Sequence, residues 1–169
     1  MKTILPKVKL IVLLRDPVER AYSHYQMEKR KGRELLSFEE AIEQEESRLM
    51  QEYSKVEQQG SSYFSEKLAS HSYMARGLYA EQLKRVFIHY DKSQVLIIDS
   101  KSLKKNTKVV LEKVYDFLGL DQFENDKLSR NKNVHTYPAM DEKTRSYLKD
   151  FYREPNQELF KLLNQKFDW

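Results

Sequence analysis

Near the start of the chain, an apolar segment leads directly into the first residues of a helix. Residues 8–14 read Val-Lys-Leu-Ile-Val-Leu-Leu, a nearly continuous apolar run that is typical of a strand covered on both faces. Arg15, Asp16 and Pro17 follow, and Glu19 comes three residues after Asp16. Asp16 is a favoured helix N-cap, Pro17 suits the first helical position, and Glu19 completes a capping box. A buried strand followed at once by a helix is therefore predicted.

A second apolar run, Val95–Asp99, predicts another strand. Helical patterns fill the chain between the two runs, so the strands are expected to pair in parallel through a long right-handed crossover. Further helices are predicted after Ser37, after Gly77, from Thr107 to Gly119, from Asp141, and after Pro155. The fold class is α/β, with a few-stranded parallel sheet and many flanking helices.

The predicted sheet is small for the length of the chain. Two parallel strands alone leave edges unpaired and make a poor core. Either weak strands escape detection, or part of the sheet comes from other sequence or from another chain, or no larger sheet exists.

Composition excludes several classes of protein. A chain of 169 residues with 40% hydrophobic and 12% aromatic residues predicts one globular domain, residues 1–169, and not a disordered chain. Because cysteine is absent and only 4 histidines occur, a disulfide scaffold and thiolate metal sites are excluded, and no metal site is expected. The longest apolar run is far shorter than the roughly 20 residues that span a bilayer. We expect a cytoplasmic protein without a membrane partner.

Charge is distributed unevenly along the chain. Residues 1–33 carry nine basic and three acidic side chains, residues 34–66 carry two and nine, and residues 67–169 carry 19 and 14. The two basic ends are candidates for binding an anion, while solvated helix faces explain the same charges equally well. The acidic segment between them argues against a nucleic-acid partner.

Arg15 and Ser23 are the candidate ligands of an anion. Arg15 lies where the first strand ends, and ligands of open α/β sheets gather at the carboxyl ends of strands. The following helix start is expected to offer free main-chain N–H groups, and Ser23 a hydroxyl two turns further on. An arginine fork with a serine donor suits a phosphate group. A structural Arg15 paired with a carboxylate is the alternative, and Arg20 is interpreted as a surface or ion-pairing residue.

Residues 12–25, VLLRDPVERAYSHY, resemble the motif by which sulfotransferases of the heparan sulfate type hold the 3′-phosphate of 3′-phosphoadenosine 5′-phosphosulfate (PAPS). The resemblance implies that Arg15 and Ser23 are the 3′-phosphate ligands of PAPS or of the product PAP. Further blocks resemble the family in the same order, at residues 37–42, 76–83, 94–99, 117–120, 137–141 and 150–153. The family also implies a partial P-loop-like sulfotransferase fold.

A basic loop before a Tyr-Pro element makes a second cofactor contact in that family. The corresponding stretch is Ser129–Tyr137, and Lys132 and His135 are its candidate cofactor ligands. The stretch departs from the Lys-Gly-rich form of the family, and solvated loop charges are the alternative interpretation.

The family's lysine- and glycine-containing loop for the 5′-phosphosulfate has no counterpart here. The four glycines, Gly32, Gly60, Gly77 and Gly119, lie at the ends of predicted helices or in the connections between them. The general base normally lies upstream of residues 12–25, so the catalytic residues are unknown. We interpret the sequence as the C-terminal portion of a sulfotransferase domain, with an expected N-terminal truncation.

Two functions follow from the resemblance. The first is donor binding and, in a complete enzyme, sulfuryl transfer to a hydroxyl or amine acceptor, with a carbohydrate as the expected acceptor class. The second is a noncatalytic binding or regulatory role. The missing loop predicts little or no turnover by this chain alone.

Overall fold

A computed structural model describes residues 4–60, 63–123 and 136–169. Its elements, in chain order, are β1 (Leu10–Leu14), α1 (Pro17–Arg30), α2 (Phe38–Glu43), α3 (Glu45–Gln59), α4 (Glu66–His71), α5 (Tyr79–His89), β2 (Val95–Asp99), α6 (Ser100–Lys105), α7 (Thr107–Leu118) and α8 (Glu142–Leu163). Short 3₁₀ turns cover Ala75–Gly77 and Lys92–Gln94. Among the helices of the described ranges, none is both long and apolar enough to cross a lipid bilayer.

The predicted parallel sheet is confirmed. β1 and β2 pair in parallel, with Leu10 opposite Val95 and Leu14 opposite Asp99. Within the described part of the chain, these two strands form the sheet. The α/β class with few strands and many helices is therefore observed, and completion of the sheet by another chain stays a prediction.

One face of β1 differs from the prediction. A strand covered on both faces was expected, but Ile11 and Leu13 are 44% and 54% exposed, whereas Leu14 is buried. Alternate residues of a strand point to opposite faces. The apolar run was correctly identified as a strand. An apolar run alone does not show whether other residues of the chain pack against both faces of the strand.

The chain divides into two compact units. Unit 1 comprises residues 1–15, 81–136 and 166–169, and it contains the sheet, most of α5, α6 and α7. Both α6 and α7 contact β2. The buried apolar side chains of unit 1 are Leu14, Leu83, Tyr90, Val95, Ile98, Val110 and Phe167.

Unit 2 comprises residues 16–80 and 137–165, and its core is rich in tyrosine. The cluster brings together α1, α2, the segment after α4, and α8, and its members are Val18, Ala21, Tyr22, Tyr25, Phe38, Ala41, Ile42, Tyr73, Met74, Met140, Leu148 and Tyr152. Ser37 starts α2 with the predicted capping box, in which its hydroxyl accepts from the main-chain N–H of Glu40 and the Glu40 carboxylate accepts from that of Ser37. The single domain predicted for residues 1–169 stays a prediction.

The C-terminal region forms one helix and not the predicted two. Pro155 lies inside α8, although a proline in a helix interior costs about 3 kcal/mol. Side chains on both sides of Pro155 are buried, among them Tyr152 and Leu159, and their packing offsets the cost. Tyr147 and Phe151 of α8 are 54% and 37% exposed, so the buried stripe of the helix does not include them.

Candidate functional site

Arg15 lies between the last residue of β1 and the N-cap of α1, as the sequence predicts. Its side chain is half-buried. The residue therefore occupies the carboxyl end of a parallel strand, the position at which ligands of open α/β sheets bind.

The start of α1 offers fewer free main-chain N–H groups to an anion than the sequence predicts. The Asp16 carboxylate accepts a hydrogen bond of 2.9 Å from the main-chain N–H of Val18, and Pro17 has no N–H. Burial raises the pKa of Asp16, while the hydrogen bond from Val18 opposes that rise. Because Asp16 itself caps the helix, the expectation that free N–H groups would hold the anion is wrong. Side chains must supply the hydrogen bonds instead.

Ser23 belongs to α1 and is half-buried. It follows Asp16 by seven residues, so it stands on the same face of the helix, about 10 Å along the axis. None of the other described residues forms a hydrogen bond with its hydroxyl. The hydroxyl is therefore available as a donor. The other two candidate ligands, Lys132 and His135, lie outside the described residues.

The Tyr-Pro element that follows the predicted basic loop contacts α1. The hydroxyl of Tyr22 donates a 2.9 Å hydrogen bond to the carbonyl of Pro138, and the rings of Tyr22 and Tyr137 are 5.6 Å apart in an edge-to-face arrangement. Tyr22 directly precedes Ser23. The residues that end the loop are thus held against the helix that carries Ser23.

Arg20, interpreted from the sequence as a surface or ion-pairing residue, instead binds main-chain carbonyl groups. Its guanidinium donates to the main-chain carbonyls of Ser72, at 3.2 Å, and of Tyr73. Burial lowers the pKa of Arg20. The side chain joins α1 to the segment after α4, so Arg20 has a structural role that the sequence pattern did not reveal.

His24 is a buried titratable group that sequence reasoning missed. Its ring lies 5.1 Å from that of Tyr73, and its Nε2 is 4.0 Å from the carboxylate of Glu28. No described group pairs with its Nδ1. Burial, reinforced by the positive charges of Arg20 and Arg76, lowers the pKa of His24 to about 4. His24 is therefore neutral at pH 7, and the periodicity of α1 is the signal that places it inward.

Three glutamates of the acidic segment are buried and hold loops in place, although solvated helix faces were expected. Glu34 accepts from Arg48 and Tyr73, both at 2.9 Å, and Glu45 accepts from the main-chain N–H groups of Met74 and Ala75. The third, Glu52, accepts from three side chains, those of Lys55, Tyr63 and Ser65.

Burial and hydrogen bonds shift the pKa values of Glu45 and Glu52 in opposite directions. Burial raises the pKa of Glu45, whereas the bonds from Lys55, Ser65 and Tyr63 lower the pKa of Glu52 to about 2. No group of three metal-ligating side chains occurs in the described ranges. The buried glutamates therefore act as structural anchors of unit 2.

Unit 2 also contains a cleft of about 710 Å³, which we call the α2–α8 cleft. It is lined by Glu39, Ile42, Glu43, Glu45, Glu46, Leu49, Tyr53, Met74, Ala75, Leu78, Lys143, Thr144, Tyr147 and Phe151. Its volume lies within the roughly 300–1,000 Å³ of small-molecule sites. Sequence reasoning did not find it, because α8, which forms one wall, lies far along the chain from α2 and α3, which form the other walls.

Comparison with known proteins identifies the family. The family model described as the sulfotransferase domain matches residues 1–160. The chain belongs to the sulfotransferase domain family. The resemblance found in residues 12–25 and in the later blocks is thereby confirmed at the level of the superfamily.

Similar proteins come from animals and from a bacterium. Human bifunctional heparan sulfate N-deacetylase/N-sulfotransferase 2 is 27% identical over 185 residues, which cover 96% of this chain and 20% of that protein. The Xenopus laevis N-deacetylase/N-sulfotransferase 1 is 29% identical over 183 residues, which cover 95% of this chain and 20% of that protein. This chain thus spans about a fifth of the length of these relatives.

The crystal structure of a sulfotransferase from Alicyclobacillus acidocaldarius superimposes with a TM-score of 0.77 and 28% sequence identity. The match covers 99% of this chain and 59% of that one. The predicted partial sulfotransferase fold is confirmed by this similarity.

Proposed function

We propose that this sulfotransferase domain binds the 3′-phosphate end of PAPS, with Arg15 and Ser23 as the phosphate ligands. The observation that carries the proposal is the position of Arg15, which joins β1 to α1 within the segment of strongest family resemblance. In a complete enzyme, the bound donor supplies a sulfuryl group to a hydroxyl or amine. A carbohydrate is the proposed acceptor class, because the similar animal enzymes are named for heparan sulfate, which is a carbohydrate.

The main-chain geometry at the start of α1 supports a role for these two side chains. Because the Asp16 carboxylate already accepts the N–H of Val18, a phosphate here depends on side-chain donors. A guanidinium gives two parallel charge-assisted hydrogen bonds, and the Ser23 hydroxyl adds a short neutral donor. Together they match the charge and the acceptor oxygens of a phosphate group.

Lys132 and His135 are proposed as additional donor ligands. They precede Tyr137 and Pro138, which contact Tyr22 of α1, by only a few residues. This proximity in the chain supports the proposal for Lys132 and His135.

Binding and positioning of the donor are the contribution of these residues. Sulfuryl transfer, like phosphoryl transfer, depends on alignment of the reacting groups and on stabilisation of charge. A ligand of the 3′-phosphate acts far from the sulfuryl group, so its loss is expected to weaken donor affinity.

Binding without turnover is the second candidate function, and the glycines favour it. Gly32 and Gly119 lie just after α1 and α7 with φ of 71° and 74°, and Gly60 follows α3 with φ of 68°. Gly77 packs against the ring of Tyr152. Since all four glycines terminate helices or pack in the core, none of them forms a phosphate-cradling loop within these 169 residues.

Calorimetric titration of the chain with PAP tests donor binding. We expect Arg15→Ala to weaken binding about twentyfold and Ser23→Ala about fivefold, because charge-assisted hydrogen bonds contribute more than neutral ones. The control is Arg30→Ala, which removes an exposed arginine at the other end of α1 and should leave the affinity unchanged. Absence of binding at millimolar PAP, or equal losses in all three variants, contradicts the proposal.

A transfer assay with labelled PAPS separates the two candidate functions. With sugar and phenol acceptors, we expect this chain to bind donor without measurable turnover. Robust transfer would show that the chain supplies its own catalytic residues and would reject the noncatalytic alternative.

A further inference from the structure

We propose that the α2–α8 cleft binds a small organic cation whose body is aromatic or aliphatic. The cleft combines a volume of about 710 Å³ with an aromatic wall and with carboxylates that form no ion pair within the described part of the chain. This inference concerns binding alone and does not depend on donor binding or sulfuryl transfer.

Aromatic side chains of two helices line the cleft. Tyr53 of α3 is 43% exposed, and Tyr147 and Phe151 of α8 are 54% and 37% exposed. Ile42 and Leu49 supply apolar surface that is already buried. Large aromatic residues that stay exposed in a concavity provide both apolar contact and rings that attract cations.

The charge of the lining is strongly negative, with four carboxylates and one ammonium group. Two of the carboxylates have structural partners. Glu39 accepts a 2.9 Å hydrogen bond from the Thr144 hydroxyl, and Glu45 accepts from the main-chain N–H groups of Met74 and Ala75. These two therefore contribute to the electrostatic potential but are not available as ligands.

Glu43 and Glu46 are the carboxylates left to meet a ligand. Both are exposed, and neither forms an ion pair or hydrogen bond with another residue of the described ranges. The negative charge of Glu46 also contributes to the raised pKa of Tyr53, after burial and the charge of Glu45, which indicates that this carboxylate acts on the aromatic wall. The lining thus pairs uncompensated negative charge with aromatic surface.

Charge complementarity selects the ligand class. An anionic ligand would be repelled by the excess of carboxylates over Lys143. A neutral apolar ligand would gain contact with the aromatic wall but nothing from Glu43 and Glu46. An ammonium or guanidinium group on an apolar body uses both features, and the cleft volume fits a small molecule.

Three phenyl compounds of similar size and different charge test the inference. We expect phenethylammonium to perturb the NMR signals of Tyr53 and Tyr147, 2-phenylethanol to bind about tenfold more weakly, and 3-phenylpropionate to show no binding. The double variant Glu43→Gln/Glu46→Gln should bring the affinity for phenethylammonium down to that for the alcohol. Glu57→Gln, an exposed glutamate of α3 outside the cleft, is the matched control and should bind like the parent chain.

The outcomes separate the alternatives. Equal binding of all three probes, or unchanged affinity in the double variant, rejects a cation site. Binding of a basic peptide at these residues without binding of phenethylammonium rejects a small-molecule ligand in favour of a protein partner. Since none of these measurements uses PAP, a negative result leaves the proposed donor site untouched.

Discussion

Gly77→Ala is expected to destabilise the protein by about 3 kcal/mol, because overpacking in a close-packed core costs 1–3 kcal/mol and a buried hydrogen bond is lost as well. A Cβ at Gly77 would lie 2.6 Å from the hydroxyl oxygen of Tyr152 and 2.7 Å from a ring carbon. Tyr152 is fully buried, and its hydroxyl donates a 2.8 Å hydrogen bond to the carbonyl of Met74. The ring has to move, and this hydrogen bond then breaks. Urea denaturation followed by circular dichroism measures the loss.

Two further variants isolate the steric cause. Gly32→Ala introduces a Cβ with no atom within 4 Å at a residue with φ of 71°, so only the strain of the left-handed backbone remains, about 1 kcal/mol. Tyr152→Leu removes the ring, and its combination with Gly77→Ala should cost less than the sum of the two single changes. An unfolding midpoint for Gly77→Ala equal to that of the parent chain would contradict the prediction, because it would show that the Tyr152 ring can shift without a loss of stability.

The free energy of unfolding should fall by about 3 kcal/mol between pH 7 and pH 4 because of His24 alone. This amount follows from a difference of about 2.5 units between the pKa of His24 in the unfolded chain and in the folded chain. In the folded chain the pKa of His24 is about 4, against an ordinary value of 6.5, and burial is the main cause. Between pH 6.5 and pH 4, the His24 imidazole is protonated in the unfolded chain but stays neutral in the folded chain. The stabilisation is therefore complete above pH 6.5 and is lost as the pH falls toward 4.

The variant His24→Gln should flatten this dependence, since glutamine does not titrate. Free energies of unfolding measured at half-unit intervals from pH 7 to pH 4.5 give the slope, in a range where most carboxylates remain ionised. The exposed histidine His89 provides the control, and His89→Gln should keep the parent slope. A slope that is the same for His24→Gln and for the parent chain would contradict the burial of a neutral imidazole.

Several elements could be predicted because their signals are local. The strand at Leu10–Leu14, the cap at Asp16 and the proline at position 17 lie within eight residues of one another, and together they set the β1–α1 junction and the place of Arg15. The second strand was predicted with its observed bounds, Val95–Asp99. Parallel pairing followed from the helices between the strands.

Other features depend on contacts between distant residues. Pro155 predicts a helix break, yet α8 continues through it because residues on either side of the proline are buried by packing. Arg20 has the pattern of a surface residue, but its partners are carbonyls about fifty positions away. The acidic segment has the composition of a solvated surface, whereas Glu34, Glu45 and Glu52 are buried hydrogen-bond acceptors.

The amino-acid sequence by itself indicated the family and the two strands, and its resemblance to the family gave Arg15 and Ser23 as candidate phosphate ligands, which stay a prediction. Those features reside in short contiguous segments, where backbone preference and residue order are sufficient. Only the tertiary structure decided which charges are buried, and that α2, α3 and α8 line a cleft in which Glu43 and Glu46 have no ion-pair or hydrogen-bond partner among the described residues. Burial and electrostatic environment arise from residues far apart in the chain, so they exist only once the chain has folded.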